Sequence, residues 1–409
     1  MIATRALSKR RFGHEYSLFG QSGACFVRWL AVITFLLFAF GATASAQDDD
    51  AFETRAETTY LIDYELGGLL YAKNADKRFQ PGNMAKLMTL AVVFDALRDD
   101  RLALEKTFTI TEDAWRRGGA PSGGTTMFAE LNSQVSVRDL IKGAIIHYAN
   151  DACIALALGL AGTEQGFATL MNEHALEIGL RDSNFTNSTG YNDPNSYTTA
   201  RDMAVLARYV IRNYPVYYQY FDNENFEWNG IFQSNRNSAR NDAVGADGLF
   251  ISFVEGEGYG LVTSAVKDDR RHVLVMTGFS STETRAAELR RILSWSLRNF
   301  DQIIVFDEGI SIAAARVFGG EQLYVDVAGE GAIRALLPRG GDVRLSARLI
   351  YDGPLRAPVR RGQYVGNVEI NRDGQRATLA PVYAVEDVAV GSLTDRALSS
   401  LMELTLGRF

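Results

Sequence analysis

The stretch Phe79-Gln80-Pro81-Gly82-Asn83-Met84-Ala85-Lys86-Leu87-Met88-Thr89-Leu90 determines how the rest of the chain can be interpreted. Its Pro-Gly pair suits a tight entry into a helix, and the apolar run from Met84 to Leu97 is long enough for a buried one. Because helical residues three apart share a face, Asn83 and Lys86 are predicted to stand side by side in the first turn. The sequence therefore predicts a polar pair at the start of a buried helix.

A serine at a helix start with a lysine one turn on is a pair used in acyl transfer, where the lysine takes the proton of the attacking serine. Here Asn83 stands at the serine position, while Lys86 is present. The lone pair of an amide nitrogen is delocalised into its carbonyl, so Asn83 cannot attack a peptide carbonyl as an alkoxide would. Asn83 is predicted instead to cap the helix, a role that Asn fills well.

The N-terminus, residues 1–46, has the composition of a secretory signal peptide. Five basic residues precede or adjoin the apolar run Trp29 to Phe40, which is followed by the cleavage pattern Ala44-Ser45-Ala46. The alternative is an uncut membrane anchor, but the apolar run is short for a span. The secreted chain would lose the signal after Ala46.

The composition is that of an ordinary globular protein, and the net charge is negative. The 409 residues suffice for two domains, with 47% hydrophobic and 22% charged residues. Removing the predicted signal takes five of 42 basic residues and one of 49 acidic residues, which leaves a net charge of −11. Such a charge argues against nucleic acid as a partner and against simple electrostatic adhesion to anionic lipid.

Cysteine and histidine usage predicts neither disulfides nor a metal site. Cys25 leaves with the signal, and Cys153 lies in an apolar run, where it is predicted to be a small buried hydrophobe. The four histidines, His14, His147, His174 and His272, show no ligand spacing. No metal and no cofactor are therefore expected.

The order of patterns predicts an α+β fold with an antiparallel sheet packed with helices. Thr59 to Tyr64 and Gly68 to Ala72 are typical of a strand hairpin, and the glycine-rich segment Trp115 to Thr126 predicts a loop. Strand-like alternation dominates after Phe300. The predicted domains are residues 47–300, a small β-sandwich domain over 301–391 and an amphipathic helix over 392–409.

Several runs occur together in an order that resembles the D-alanyl-D-alanine carboxypeptidases of the low-molecular-mass penicillin-binding proteins, serine peptidase family S11. The resemblance covers nearly the whole mature chain. It implies a β-lactamase/transpeptidase-like domain followed by the family's C-terminal β domain. The runs that carry it are Phe79 to Thr89, Tyr148-Ala149-Asn150-Asp151-Ala152, Asn184-Phe185-Thr186-Asn187, Tyr197 to Asp202, Asn235-Arg236-Asn237, Asp247-Gly248-Leu249, Ala357-Pro358-Val359 and Gly362 to Gly366.

The family works with three motifs, Ser-x-x-Lys, Ser-x-Asn and Lys-Thr-Gly, and the resemblance implies that all three are altered here. Asn83 takes the position of the nucleophile before Lys86, and Tyr148 takes that of the second serine before Asn150. The stretch Phe250-Ile251-Ser252 occupies the Lys-Thr-Gly position, where a cation and a hydroxyl hold the substrate carboxylate. Losing a nucleophile removes on the order of a million-fold of rate. We therefore expect a homologue that has lost hydrolysis.

Three hypotheses about function stay open. The first is a periplasmic homologue that binds a peptidoglycan stem peptide or a protein of the wall machinery. The second is an active serine-type carboxypeptidase that trims peptidoglycan pentapeptides with an unrecognised nucleophile. The third is a structural role in which the β domain docks a partner.

The neighbouring polar residues have plain interpretations. Thr89 and Ser252 are predicted to be packed hydroxyls rather than substitute nucleophiles, because neither lies at a helix N-terminus that could form an oxyanion hole. Lys86 is expected to be partly buried, with the Asn83 carbonyl and Asn150 as acceptors. Tyr148 is expected to fill the vacated cleft, and His147 is expected to be a polar helix residue.

The terminal helix has two interpretations. Leu393, Ala397, Leu401 and Leu404 form one apolar stripe of a helix, and the family resemblance implies that such a C-terminal helix anchors the protein to a membrane surface. Because two acidic residues of this segment balance two basic ones, lipid contact would rest on apolar burial alone. The alternative is packing on the β domain.

Overall fold

The computed structural model describes residues 4–7, 52–243, 245–340 and 343–406. The predicted signal peptide, residues 1–46, lies outside the described residues except for 4–7. The helices are α1 Lys86–Arg98, α2 Glu112–Gly118, α3 Val137–Ile146, α4 Asn150–Ala161, α5 Glu164–Glu177, α6 Ala200–Asn213, α7 Pro215–Tyr218, α8 Ala239–Asp242, α9 Thr282–Asn299 and α10 Leu393–Leu406.

The strands fall into a group before α9 and a group after it, apart from β1 near the start of the chain. They are β1 Thr4–Leu7, β2 Thr58–Asp63, β3 Leu69–Lys73, β4 Thr107–Thr109, β5 Gln134–Ser136, β6 Asn225–Trp228, β7 Ile231–Ser234, β8 Ala246–Val254, β9 Gly258–Lys267, β10 Arg270–Phe279, β11 Phe300–Phe306, β12 Ala313–Phe318, β13 Tyr324–Gly329, β14 Ile333–Pro338, β15 Leu345–Tyr351, β16 Leu355–Arg356, β17 Tyr364–Arg372 and β18 Gln375–Ala384.

An antiparallel sheet of five strands, in the order β3-β2-β10-β9-β8, organises the first domain. The pairing of β2 with β3 confirms the predicted hairpin. Helices α1 and α3 to α6 pack a large apolar core with one face of this sheet, and α9 packs with the other face. Strand β8 ends the sheet and is therefore its free edge.

The entry into α1 differs from the prediction. A 3₁₀ turn, Gly82–Ala85, precedes α1, and Pro81 rather than Asn83 stands at its N-cap position. Neither the turn nor α1 has a side-chain cap, so the predicted capping role of Asn83 is wrong. Because Asn83 lies inside the turn, its side chain is free to bond elsewhere.

The segment predicted as a loop from Trp115 to Thr126 is also partly wrong, because its first residues belong to α2. Thr111 caps this helix by accepting from the amide of Ala114 at 3.2 Å. Acidic residues in the first turn and Arg116 and Arg117 in the last turn complement the helix dipole. The glycines that suggested a loop begin only where α2 ends.

The C-terminal β domain is a curled seven-stranded sheet in the order β1-β15-β17-β18-β13-β12-β16, with β11 and β14 as a separate pair. Alternate residues of its strands point into one apolar core, consistent with a β-sandwich. Together with the first domain and α10, this architecture confirms the predicted α+β class.

The two domains meet along the hairpin β2–β3. Arg372 of β17 is buried and donates from Nη2 to the carbonyl of Leu69 at 2.9 Å and from Nη1 to that of Leu336 at 3.0 Å. A Cβ on Gly68 would lie 2.0 Å from the carbonyl oxygen of Ala377. The backbones of the two domains are therefore in direct contact.

The terminal helix α10 rests on the β domain through a polar residue. The Ser399 hydroxyl accepts from the amide of Gly319 at 3.2 Å, and Ser399 is buried. Leu393, Leu398 and Leu401 are exposed. No single helix in the described ranges is long and apolar enough to cross a membrane. The bent pair α4 and α5 together have the length and composition of a membrane span.

Candidate functional site

Lys86 lies at the centre of the site that the sequence predicts. It is wholly buried, rather than partly as expected, and donates to Asn83 Oδ1 at 2.8 Å and to the carbonyl of Thr189 at 2.6 Å. Burial lowers the pKa of its ammonium to about 8. Asn83 was predicted to accept a hydrogen bond from Lys86, and it does. The second acceptor is the carbonyl of Thr189 rather than the predicted Asn150.

The loop that supplies Thr189 is organised by Asn187. The Asn187 Oδ1 accepts from the amides of Thr189, Gly190 and Tyr191 at 3.2, 2.8 and 3.0 Å. Gly190 has a φ of +78°, and a Cβ there would lie 1.8 Å from the carbonyl oxygen of Gly82. Only glycine fits this contact. The Asn-Ser-Thr-Gly turn is the sequence signal that could have identified this loop.

The edge strand β8 is fixed against the 3₁₀ turn on its other side. Ser252 Oγ donates to the carbonyl of Pro81 at 3.2 Å. Gly82 has a φ of +51°, and a Cβ at this residue would lie 2.7 Å from Ser252 Oγ. Ser252 therefore contacts the two residues that precede Asn83.

Tyr148 fills the space between these elements, as expected. It is buried, with a left-handed φ of +59°, and its carbonyl accepts from Thr125 Oγ1 at 2.6 Å. Its ring centroid lies 5.0 Å from that of Phe250. Its hydroxyl oxygen accepts from the amide of Ile251 at 3.1 Å. Burial raises the pKa of this phenol well above its ordinary value, so the group is a neutral packing element at physiological pH.

The residue Asn150 begins α4, and its amide N–H donates to the carbonyl of Thr125 at 2.8 Å. Its Oδ1 is buried and accepts from no other described residue. The next residue, Asp151, is buried and accepts from the Thr126 hydroxyl and from the amides of Met127, Ala129 and Ala152. Asp151 therefore holds the segment from Thr126 to Ala129 against the start of α4, and the side-chain oxygen of Asn150 has no protein donor among the described residues.

The third motif position lies on β8. Phe250 is fully buried and its ring packs at 5.6 Å between centroids against Phe221. Ile251 is half-buried, and Ser252 is buried. Phe250 and Ile251 are apolar, so neither side chain can form a charge-assisted bond to a carboxylate. The strand offers no cation to a carboxylate at these three residues.

One buried cation near the site was missed by the sequence analysis. Arg285 of α9 is almost wholly buried; its Nη2 donates to Ser238 Oγ at 2.8 Å and lies 3.7 Å from Asp242 Oδ2. Its positive charge partly offsets the burial that raises the pKa of Tyr148, which places it near that phenol. Arg285 lies far from the three motifs in sequence, so no motif spacing could have identified it.

Thr89 and Cys153 have the plain roles that were predicted. Thr89 donates to the carbonyl of Ser188 at 2.7 Å and is buried. Cys153 is a buried free thiol, and burial raises its pKa to about 12, which makes it unreactive. His147 was predicted to be a helix residue, but it lies at the C-cap just beyond α3, with Nδ1 at 3.3 Å from the carbonyl oxygen of Ser234.

The structure therefore gathers all the predicted site residues at one place. Asn83 bonds to Lys86, Tyr148 bonds to the amide of Ile251 on β8, and Ser252 of the same strand bonds to Pro81 at the entry of the 3₁₀ turn. The site contains the Asn83 amide bonded to the buried Lys86, the unpaired side-chain carbonyl of Asn150, and the packed rings of Tyr148 and Phe250. No serine hydroxyl is placed one turn before the lysine.

Comparisons with known proteins identify the family of the chain. Residues 42–281 match the family model described as D-alanyl-D-alanine carboxypeptidase, and residues 300–390 match that of the penicillin-binding protein 5 C-terminal domain. The chain is 34% identical over 381 residues to D-alanyl-D-alanine carboxypeptidase DacC of Escherichia coli, covering 92% of this chain and 95% of the relative.

Two further similarities come from Haemophilus influenzae. D-alanyl-D-alanine carboxypeptidase DacA is 33% identical over 357 residues, which cover 87% of this chain and 90% of the relative. The crystal structure of penicillin binding protein 5 has a TM-score of 0.70 at 33% identity and covers 83% of this chain and 99% of that one. The chain belongs to the D-alanyl-D-alanine carboxypeptidase family of penicillin-binding proteins.

Proposed function

We propose that this chain is a D-alanyl-D-alanine carboxypeptidase homologue of peptidoglycan metabolism that no longer hydrolyses peptides and acts by binding. The observation that carries the proposal is the 2.8 Å bond from Lys86 Nζ to Asn83 Oδ1. The lysine that would accept a serine proton instead donates to an amide oxygen. An amide cannot carry an acyl group through a covalent mechanism.

The other two altered positions support the same conclusion. Tyr148 replaces a small hydroxyl by a buried phenol with a strongly raised pKa, which makes it a poor proton relay at neutral pH. Phe250 and Ile251 replace the groups that would hold a substrate carboxylate. We propose that Asn83, Lys86, Tyr148, Asn150, Phe250, Ile251 and Ser252 form a binding site without catalysis.

The proposed ligand is a peptidoglycan stem peptide or a protein of the wall machinery. The carboxypeptidase relatives act on D-alanyl-D-alanine, as their names state. The unpaired Oδ1 of Asn150 could accept a peptide N–H, which supports a peptide ligand. The bond from the Ile251 amide to Tyr148 removes one donor from the edge of β8, which supports a protein partner that binds elsewhere.

A periplasmic location fits both ligands. We propose that residues 1–46 direct secretion, that the family domain spans 47–300, that the β domain spans 301–391 and that 392–409 forms the terminal segment. The exposed leucines of α10 support contact between this segment and a membrane surface.

The second candidate function is an active serine-type carboxypeptidase. The retained Lys86, with a pKa lowered to about 8, would be partly neutral near that pH and could act as a base. The nearby hydroxyls, however, are engaged: Ser252 donates to Pro81 and Thr89 donates to Ser188.

The experiment that separates the two functions is intact-mass analysis after incubation with a β-lactam. The Haemophilus influenzae DacA relative serves as the positive control. We expect no mass increase for this chain and no release of D-alanine from a pentapeptide ending in D-Ala-D-Ala. An adduct, or D-alanine release that Asn83→Ala abolishes, would overturn the proposal.

Calorimetry with the same pentapeptide then decides the ligand. Saturable binding that Asn150→Ala weakens supports the stem peptide, because that variant removes the unpaired carbonyl. Absence of binding excludes the peptide, and crosslinking in the periplasm followed by mass spectrometry would identify a protein partner instead.

A further inference from the structure

A second polar cluster lies away from the altered site, at the junction of the two domains. Helix α6 and strand β2 face β17 and β18 there across a cleft of about 380 Å³. Its volume falls within the range of about 300–1,000 Å³ that small-molecule sites have. Three arginines line it, and no Asp or Glu is among the described residues that do so: Arg208, Arg212 and Arg376.

Arg208 is fixed at the base of this cluster by backbone carbonyls. Its Nε donates to the carbonyl of Tyr64 at 2.6 Å, and its Nη2 donates to that of Glu65 at 3.1 Å. Gly67, with a φ of +64°, lies so close that a Cβ would be 3.1 Å from the guanidinium carbon of Arg208. The guanidinium is therefore held in place without a carboxylate on those nitrogens.

Arg212 and Arg376 carry charges that nothing in the described part of the chain neutralises by direct contact. Both side chains are exposed, and neither makes a hydrogen bond or an ion pair within the described residues. Burial lowers the pKa of Arg208, and the charges of Arg212 and Arg376 lower it further. Three positive charges therefore repel one another in one cleft of a chain whose net charge is −7.

Two carboxylates of the β2–β3 hairpin, Asp63 and Glu65, do not form an ion pair with these arginines in the described residues. Asp63 is buried and accepts from the amide of Leu66 at 2.7 Å, and Arg208 acts on it only by charge. Glu65 is exposed and lines the neighbouring pocket on the other side of the hairpin. The cleft thus has an excess of positive charge on its walls.

The cleft is built by both domains, and its walls are fixed relative to each other. Arg372 bonds β17 to the carbonyl of Leu69, and the Ala377 carbonyl contacts Gly68. The side chains of Ile62 and Leu379 form an apolar wall beside the arginines, against which the carbon atoms of a ligand can pack. A site of this composition exists only where the domains are joined.

We propose that this cleft binds a small ligand with oxyanion groups, a phosphate ester or a dicarboxylate, between Arg212 of the first domain and Arg376 of the β domain. Planar guanidinium groups bind carboxylate and phosphate oxygens through paired N–H donors. Two unpaired arginines facing one cleft give a dianion two such anchors. This proposal is independent of the function proposed for the altered site.

Isothermal titration calorimetry with inorganic phosphate and with succinate tests the proposal on the full secreted chain. The double variant Arg212→Gln/Arg376→Gln is compared with Arg360→Gln/Arg361→Gln, which removes two exposed charges outside the cleft. We expect saturable binding for the wild type and the control, and binding about tenfold weaker or worse for the cleft variant. Preference for one anion over the other identifies the oxyanion chemistry.

Several outcomes would overturn the proposal. One is the absence of saturable heat from both anions with the wild type. Another is equal weakening in the two double variants, which would mean general charge attraction. If the cleft variant fails to fold by circular dichroism, the single variant Arg376→Gln replaces it, and unchanged affinity in that variant would contradict the site.

Discussion

The hydroxyl oxygen of Tyr148 lies 3.1 Å from the amide nitrogen of Ile251 and accepts its hydrogen bond. Ile251 belongs to the edge strand β8, whose partner on the inner side is β9. The phenol therefore satisfies a backbone donor of a sheet edge, a group that an added strand would otherwise bind. The side chain of Tyr148 therefore supports the edge strand.

Replacing Tyr148 by Phe tests this support. The variant leaves the buried amide of Ile251 without its acceptor, so we expect the free energy of unfolding to fall by about 1–2 kcal/mol. Urea denaturation provides the measurement. Tyr324→Phe, which removes an exposed hydroxyl, should leave stability unchanged. Equal stability of Tyr148→Phe and wild type would show that the bond contributes nothing.

The lowered pKa of Lys86 predicts a dependence of stability on pH. The folded protein holds this lysine with a pKa of about 8, below its ordinary value of 10.5, so between these two values the unfolded chain binds more protons. Stability therefore rises with pH in that window. The stability difference between wild type and Lys86→Met should shift in favour of wild type by roughly 1 kcal/mol between pH 8 and 9.5.

The control for this measurement is Lys267→Met, which removes an exposed lysine. Its stability difference from wild type should stay constant across the same pH range. A flat difference for Lys86→Met as well would mean that the buried ammonium keeps an ordinary pKa.

The contact between Gly190 and Gly82 predicts that one methyl group added at Gly190 strongly destabilises the fold. In Gly190→Ala, the new Cβ would lie 1.8 Å from the Gly82 carbonyl oxygen at a φ of +78°. Gly162 has a similar φ of +75°, but no atom lies within 4 Å of the position that its added methyl group would take, so Gly162→Ala is the matched control. We expect the free energy of unfolding to fall by about 1 kcal/mol in Gly162→Ala, because of backbone strain, and by more than about 3 kcal/mol in Gly190→Ala.

Thermal unfolding of both variants measures the difference between them. If the two midpoints fall equally, the cost of Gly190→Ala comes from backbone conformation alone. The close approach of the loop at Gly190 to the 3₁₀ turn would then be looser than the structure shows.

Restoring a serine at the nucleophile position should not restore activity. In Asn83→Ser, Tyr148 and Phe250 still fill the cleft, and the position of the third motif still lacks its cation. We expect D-alanine release from a pentapeptide to stay below detection, with Haemophilus influenzae DacA as the active reference. Hydrolysis by the single variant would mean that the second and third motif positions are dispensable.

Local patterns along the chain predicted the elements where one face is apolar. The strand-rich C-terminal domain follows from alternation, which a half-buried strand requires, whereas β2 of the predicted hairpin is buried along its whole length. Helix α2 was missed because glycines beyond its end outweighed the capping Thr111, a local signal that was present in the sequence.

The sequence by itself determined that Asn83, Tyr148 and Phe250 stand where the family resemblance places its motifs, and the amide of Asn83 cannot act as a serine alkoxide in any fold. Only the tertiary structure decided what these residues do instead. Thr189 and Ile251 each lie 103 residues from the side chain they bond, Lys86 and Tyr148 respectively. Contacts at that separation depend on how loops and strands pack, which residue spacing along the chain does not encode.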